Sequence, residues 1–375
     1  MQKRIFLIIS LLLLLPYLSE AQQLPTKSET LKALILVNDH FMTKYADCTQ
    51  PITINGVTRP SNIWTRGVYF EGLMALHSIY PDDKYYDYTT KWGDFHKWGF
   101  RNGTKTRNAD DQCAAQTYCD IYNLSKDSEK LRKTKACMEM LLNTPKVDDW
   151  TWIDAIQMGM PILAKMGTIT NDPAYYEKMW QMYSCTRNVL GNNGFFNTKE
   201  GLWWRDKDFV PPYKEPNGQN CYWSRGNGWV YAALVRVMDT TPSSEKHRKN
   251  YQADFLAMSK ALKNCQREDG FWNASLHDST HFGGKETSGT ALFIYGMAWG
   301  VRKGLLPRNE YLPIIAKAWN AILKDAIHPD GVVGFVQGTG KEPKDSQPVT
   351  YDKIPDFEDF GTGCVLLGGS EVYKL

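Results

Sequence analysis

The sequence carries no large excess of charge of either sign. Over 375 residues, 44 lysines and arginines stand against 41 aspartates and glutamates, which leaves a formal net charge of +3. Proteins that bind nucleic acid usually concentrate basic residues in blocks or along one face. No such block occurs in this chain, so the composition disfavours a nucleic-acid partner.

Metal-binding motifs are also missing from the sequence. The eight cysteines include no Cys-x-x-Cys pair, and no His-Glu-x-x-His motif is present. His277 and His281 lie four residues apart, but they stand in a stretch rich in Gly, Ser, Thr and Asp that lacks the glutamate of a zinc helix. We therefore expect no metal site.

A long apolar run occurs only once, at the N-terminus. A short basic start is followed by an almost entirely apolar run from Ile5 to Leu15, and Ala21 offers a small residue for cleavage. This pattern is typical of a secretory signal peptide and is too short to span a bilayer. We expect residues 1–21 to direct export, to the periplasm in our interpretation. Residues 22–375 are expected to form a single domain without membrane insertion.

Aromatic residues are abundant, with 13 Trp, 20 Tyr and 15 Phe, and many of them fall within a repeated pair of helices. In each repeat a polar or charged residue opens an apolar helix rich in small residues, and a second, amphipathic helix follows. The apolar helices are expected to begin near residues 66, 110, 152, 225, 286 and 361. An all-round apolar helix must be buried, so these six should form an inner layer.

Six helical hairpins can close into a ring. We therefore predict an all-α fold, an (α/α)6 barrel, with an open helical solenoid as the alternative. The turn dipeptides Asn193-Gly194, Asp269-Gly270 and Asp330-Gly331 precede apolar residues in the longer, later repeats. They predict short β-hairpins on those loops. Because the inner helices of such a barrel run in the same direction, their N-termini should open on one mouth.

The residues that open the inner helices should therefore converge at this mouth. The candidates are carboxylates, arginines, tryptophans and a threonine: Arg66, Asp110, Asp111, Trp152, Asp154, Trp204, Arg205, Trp223, Arg225, Glu286 and Thr287. Tryptophan can stack on sugar rings and arginine forks bind carboxylates, so the set suggests an acidic sugar as ligand. Asp154 follows an apolar segment, where desolvation favours the protonated carboxyl that a general acid needs. Each of these residues, taken alone, could instead have a structural role, either as a helix cap or in a contact that holds two helices together.

Four parts of the chain carry a resemblance to a known family. Tyr222-Trp223-Ser224-Arg225-Gly226-Asn227-Gly228-Trp229 is similar to the Trp-x-Arg-x-x-Gly-Trp motif of the unsaturated rhamnogalacturonyl and glucuronyl hydrolases, which are glycoside hydrolase families 105 and 88. Three further parts of the chain resemble other blocks of the same family. They are residues 286–291 with 295–300, residues 152–154 with 161–164, and residues 361–363 with 369–372. The resemblance spans roughly residues 30–375 and is closer to the rhamnogalacturonyl type.

The resemblance implies an (α/α)6 barrel that removes a 4,5-unsaturated uronic acid from the non-reducing end of lyase-generated oligosaccharides. It implies that Asp154 protonates C4 of the vinyl ether and then activates the water that attacks C5. Asp111 is carried over as the second acidic residue, with Asp110 as the alternative, and Trp223 and Arg225 as substrate-binding residues. No metal or organic cofactor is implied. The expected partner is an acidic oligosaccharide, and the sequence specifies no oligomeric state.

One position departs from the family pattern. Many rhamnogalacturonyl members have a histidine where this sequence has Arg205, which could instead grip a carboxylate or another ring substituent. Galacturonyl and glucuronyl substrates therefore both stay open. Two other functions compete with the leading one: an inverting glycosidase that acts on saturated acidic glycans through Asp111 and Asp154, and a non-catalytic protein that binds glycans at the Trp-lined mouth.

Overall fold

The computed structural model describes residues 23–54 and 56–375. The expected signal peptide, residues 1–21, lies outside the described residues. Within them the chain forms thirteen α-helices and four short strands, and the strands pair as two hairpins. None of the helices in this part of the chain has the length and apolar character that crossing a membrane requires.

The helices fall into two layers. The inner layer consists of α2 (Trp64–Ile79), α4 (Ala109–Gln112) with α5 (Ala115–Ser125), α7 (Asp154–Thr170), α9 (Ser224–Thr240), α11 (Thr287–Arg302) and α13 (Asp359–Tyr373). The outer layer consists of α1 (Lys27–Lys44), α3 (Asp83–Phe95), α6 (Glu129–Leu142), α8 (Ala174–Asn188), α10 (Arg248–Asn264) and α12 (Arg308–Ala321). The strands are β1 (Ile52–Ile54), β2 (Val57–Arg59), β3 (Phe196–Asn197) and β4 (Leu202–Trp203).

The division into layers follows the apolar character of each helix. In α11 every residue from Thr287 to Val301 is buried, as an inner helix surrounded by others requires. In α10 burial is restricted to one stripe that includes Tyr251, Phe255, Met258 and Leu262. The inner helices begin at residues 64, 109, 154, 224, 287 and 359, within two residues of the starts that the sequence predicts.

The inner helices form a closed ring. Around the ring, α2 packs on α5, α5 on α7, α7 on α9, α9 on α11, α11 on α13, and α13 returns to α2. The closing contact needs glycine, because a Cβ at Gly363 would lie 2.4 Å from the carbonyl oxygen of Val68. This closure confirms the (α/α)6 barrel and excludes the open solenoid.

The β-hairpins differ in detail from those expected. Of the three loops that contain a turn dipeptide, only the one after Asn193-Gly194 forms a two-stranded hairpin within the described residues. Its strands are β3 and β4, and its turn falls at residues 198–201. The other two loops make isolated bridges instead. Trp272 pairs with Glu286 and Ser275 with Trp223 in one loop, and Ile327 pairs with Val333 in the other. A further hairpin, β1–β2, lies on the loop before α2 and was not expected.

Close packing explains why a turn dipeptide need not produce a hairpin. Gly331 adopts φ +94°, and a Cβ at this position would lie 2.5 Å from the carbonyl oxygen of Leu36 in α1. The glycine therefore allows the loop to approach an outer helix, which the dipeptide alone does not reveal.

Candidate active site

The N-terminal ends of α2, α4, α7 and α9 open on a cavity of about 270 Å³. Loops that precede the inner helices complete its wall. The lining residues are Arg59, Ile63, Trp64, Arg101, Asp110, Trp152, Asp154, Met158, Arg205, Trp223, Arg225, Thr339, Gly340 and Phe357. The cavity is thus at the mouth where the order of the helices places the candidate residues.

Two carboxyl groups reach this cavity from different inner helices. Asp154 opens α7 and is 9% exposed, while Asp110 lies on the single turn α4. Burial, together with the negative charge of Asp154, raises the pKa of Asp110 to about 7. Near neutral pH the Asp110 carboxyl is therefore partly protonated.

Arg205 reaches Asp154 through backbone pairing of two loops. The Ile153 amide donates to the Arg205 carbonyl at 2.9 Å, and Trp152 forms a bridge with Asp206. This pairing directs the guanidinium inward, where Nε donates to Asp154 Oδ2 at 3.2 Å and Nη1 donates to Asp206 Oδ2 at 2.6 Å. A permanent positive charge, instead of an imidazole, therefore contacts the candidate acid/base.

Asp111 does not line the cavity. It is 2% exposed, and it accepts hydrogen bonds from Asn102 Nδ2 and Thr106 Oγ1 and pairs with Arg101 Nη2, each at 2.8 Å. Its carboxylate therefore holds the loop before α4, and one of its partners, Arg101, lines the cavity. Of the two neighbouring aspartates, the structure brings Asp110 rather than Asp111 to Asp154.

Trp223 and Arg225 line the cavity and also hold one of its walls. Trp223 Nε1 donates to Gln337 Oε1 at 2.9 Å, and Arg225 donates to the carbonyls of Gln337 and Gly338 at 2.6 and 2.7 Å. Gln337 Nε2 in turn donates to three carbonyls of the following loop, those of Glu342, Pro343 and Asp345. This network brings Thr339 and Gly340 to the cavity. Gln337 was not identified from the sequence, because its partners at 223 and 225 are more than a hundred positions away.

The remaining sequence candidates divide between wall and scaffold. Trp152 is half-buried and lines the cavity. Trp204 instead packs against the Tyr222 ring, with 5.9 Å between centroids. Thr287 is buried and its hydroxyl donates to the Gly334 carbonyl at 2.7 Å, which fixes α11 to the loop that leads to Gln337. Trp204 and Thr287 do not line the cavity.

Arg66 is also a scaffold residue. It is 1% exposed, its Nε donates to Asp359 Oδ2 at 2.7 Å, and its guanidinium lies 4.6 Å from the centre of the Tyr45 ring. Because Asp359 opens α13 and Arg66 lies in the first turn of α2, this buried ion pair ties the two helices that close the ring.

We expect Arg66→Met to lower the free energy of unfolding by roughly 3–5 kcal/mol, since it leaves the Asp359 carboxylate buried and unpaired. Denaturant unfolding measures the loss. The double variant Arg66→Met with Asp359→Leu is the control, and it should lose less because neither charge remains. A raised KM with unchanged unfolding in Arg66→Met would instead make Arg66 a substrate-binding residue.

Eight cavity residues were not identified as site residues from the sequence: Arg59, Ile63, Trp64, Arg101, Met158, Thr339, Gly340 and Phe357. Trp64 is the first residue of α2 and could have been found, because the predicted start lies only two positions later. Met158 lies inside α7, and the others lie on loops or at the end of the short strand β2, where no periodic pattern marks the residues that face a ligand. Within residues 23–54 and 56–375, no group of three or more His, Cys, Asp and Glu side chains could hold a metal ion.

Comparison with known proteins connects this site to one family. The model of Glycosyl Hydrolase Family 88 matches residues 35–375. An unsaturated 3S-rhamnoglycuronyl hydrolase from Formosa agariphila is 34% identical over 334 residues, which covers 83% of this chain and 84% of the relative. The range of the family model includes all the residues that line the cavity.

Solved structures show the same relationship. A family 88 glycosyl hydrolase from Bacteroides vulgatus superposes with a TM-score of 0.85 at 32% identity, covering 93% of this chain and 99% of that one. A possible family 105 member from Salmonella enterica shares the fold, with a TM-score of 0.73 at 21% identity, 93% coverage of this chain and 95% of that chain. The chain belongs to Glycosyl Hydrolase Family 88.

Proposed function

We propose that this protein hydrolyses oligosaccharides that carry a 4,5-unsaturated uronic acid at the non-reducing end. The observation that carries the proposal is the pair of carboxyls, Asp110 and Asp154, which reach one cavity from two inner helices beside Trp152 and Trp223. Family membership supports the same activity, since the relative from Formosa agariphila is an unsaturated 3S-rhamnoglycuronyl hydrolase.

The proposed reaction adds one water molecule and releases the aglycone. The carboxyl of Asp154 donates a proton to C4, and the positive charge that develops at C5 is shared with the ring oxygen. The Asp154 carboxylate then takes a proton from the water whose oxygen bonds to C5. The C5 hemiketal opens to a ketone and leaves a hydroxyl on C1, and C1 expels the aglycone as an alcohol and becomes an aldehyde. One acid/base carboxyl suffices for these steps.

Each charged state in this cycle has a partner in the structure. Burial and the charge of Asp154 raise the pKa of Asp110 to about 7, so near neutral pH Asp110 can hold a proton and supply it to Asp154 for the first step. Arg205 Nε, 3.2 Å from Asp154 Oδ2, stabilises the carboxylate that must next accept a proton from water.

A neighbouring cavity supports the assignment of the two substrate parts. It has a volume of about 480 Å³ and shares Trp152 and Arg205 with the carboxyl-lined cavity. We assign the unsaturated ring to the smaller cavity and the aglycone to the larger one. Leu190 and Phe195 line the larger cavity and would pack against the methyl group of a rhamnose-type aglycone.

Loss of the ultraviolet absorbance of the double bond tests the proposal. Purified protein is incubated with lyase products of pectin, ulvan, gum and glycosaminoglycan, and with the matching saturated glycosides. We expect the absorbance to fall for at least one unsaturated substrate, with release of one aglycone per double bond lost. Cleavage of saturated glycosides with no change in absorbance would support the inverting glycosidase instead. Binding without turnover would support a glycan-binding protein.

The pH dependence of the wild-type enzyme is a further prediction. Asp110 is protonated below its pKa of about 7 and ionised above it. If the proton of the carboxyl pair is needed for C4, kcat/KM should fall by about tenfold per pH unit above pH 7. Initial rates at subsaturating substrate between pH 5 and 9 measure this limb, and circular dichroism at each pH confirms that the protein stays folded. A flat profile between pH 6 and 9 would contradict the role given to the pair.

We also propose that the protein acts outside the cytoplasm. The basic and apolar pattern of residues 1–21 supports export to the periplasm, where lyase products with charged groups would be encountered. Cell fractionation followed by N-terminal sequencing tests this, with Gln22 as the expected first residue. Recovery of the protein in the cytosol with Met1 retained would contradict it.

A further inference from the structure

We infer that Arg59, on the β1–β2 hairpin, binds an acidic group of the substrate and thereby selects anionic oligosaccharides. The inference rests on the proposed function, because it concerns the same cavity. It arises from a comparison of the four arginines that line this cavity, which are Arg59, Arg101, Arg205 and Arg225.

Two of the four arginines are neutralised by aspartates of the protein itself. Arg205 donates to both Asp154 and Asp206. Arg101 Nη2 lies 2.8 Å from Asp111 Oδ1. A guanidinium that already pairs with a buried carboxylate has less of its charge and fewer of its donors available for a ligand.

Arg225 is occupied in a different way. Both of its terminal nitrogens donate to backbone carbonyls, those of Gln337 and Gly338, and the side chain is 1% exposed. Its guanidinium lies 4.5 Å from the centre of the Trp223 ring. The bidentate fork of Arg225 is therefore used to hold the wall of the cavity, and only its Nε has no partner among the described residues.

Arg59 alone of the four has its fork available. Within the described part of the chain it makes no ion pair, and its one side-chain hydrogen bond is a long contact of 3.4 Å from Nη1 to the Val57 carbonyl in the same hairpin. It is half-buried, and its guanidinium lies 5.8 Å from the centre of the Phe357 ring. Stacking on an aromatic ring restricts the side chain without neutralising it.

This arrangement fits an oxyanion. An arginine fork can bind two oxygens of one carboxylate or sulfate, and a half-buried position reduces screening of the attraction by salt. The substrate class offers one such group, the C5 carboxylate of the unsaturated ring, and an anionic substituent such as a sulfate ester on the next sugar would be a second source. The geometry assigns an oxyanion to Arg59, and the experiment distinguishes these two sources.

Steady-state kinetics of Arg59→Met on an unsaturated, sulfated disaccharide test the inference. We expect KM to rise about 10- to 100-fold, the range of a charge-assisted hydrogen bond, and kcat to change less than about threefold. Arg59→Lys should recover part of the loss, because it restores the charge without the fork. The methyl ester of the uronate and the desulfated disaccharide are measured in parallel. The substrate whose KM no longer depends on Arg59 identifies the bound group.

Arg132→Met is the matched control. Arg132 is exposed on α6, pairs with Glu129 at 2.9 Å and lines neither cavity, so the KM of this variant should stay within about twofold of wild type. If Arg59→Met leaves KM unchanged on the disaccharide, or raises it equally on the ester and the desulfated form, the inference is wrong. Turnover by the wild-type enzyme is measured first in the same assay. If the wild type turns over none of the unsaturated substrates, the proposed function itself is wrong.

Discussion

Asp154→Asn is expected to lower kcat by about a thousandfold or more, because the amide can neither donate the proton to C4 nor take one from water. General acid/base groups contribute on the order of 10²–10⁴ to a rate, and Asp154 serves in two steps of the proposed cycle. The substitution is nearly isosteric, so the hydrogen bond from Arg205 Nε to Oδ2 can be kept. KM should therefore change little compared with kcat.

Two measurements separate loss of chemistry from loss of structure in this variant. Thermal unfolding should stay within a few degrees of wild type, and calorimetry should still detect binding of the unsaturated disaccharide. Asp148→Asn is a suitable control, since its carboxylate is exposed and pairs with Lys146 outside the cavity. Turnover of Asp154→Asn at the wild-type rate would remove Asp154 from the mechanism.

Asparagine substitutions at the neighbouring residues Asp110 and Asp111 should have different effects on activity. Asp110→Asn is expected to lower kcat/KM by about 100- to 1000-fold, because Asp110 faces the cavity and its raised pKa keeps a proton on the carboxyl pair. Asp111→Asn should retain most of the activity. It instead weakens the contacts to Arg101, Asn102 and Thr106, which costs about 1–3 kcal/mol of unfolding free energy.

The contrast is read from activity and unfolding measured on the same samples. Asp110→Asn should be as stable as wild type or more stable above pH 7, because ionising a buried carboxyl with a raised pKa costs folding energy. Asp111→Asn should be less stable than wild type at neutral pH, because it weakens the contacts of this carboxylate. If Asp111→Asn is the inactive variant and Asp110→Asn is the unstable one, the roles assigned from the cavity are reversed.

Part of the cavity lining could be predicted from the residue pattern of the inner helices. Asp154, Trp223 and Arg225 were expected at the mouth, and each lines the cavity. Their positions depend on where an apolar helix begins, and that boundary is visible in the sequence as a change from polar to small apolar residues. Arg66 and Thr287 open helices as well, but their side chains are used to close the ring and to hold a loop.

The order of six buried helices and the positions of their N-termini follow from the sequence by itself. Burial of a helix depends on its own pattern of apolar residues, which is a local property. A closed ring of such helices then places their first residues together. The sequence also contains the motif that relates the chain to its family, with Trp223 and Arg225 in it.

Only the tertiary structure decided which side chains are available to a ligand. Adjacent helical residues point about 100° apart, so Asp110 and Asp111 meet different surroundings, and the residue type alone does not say which of the two faces the cavity. Arg59 and Gln337 acquire their roles from Phe357 and from the partners at 223 and 225, contacts that join distant parts of the chain. Such contacts have no local pattern, because they depend on how loops of the closed barrel meet.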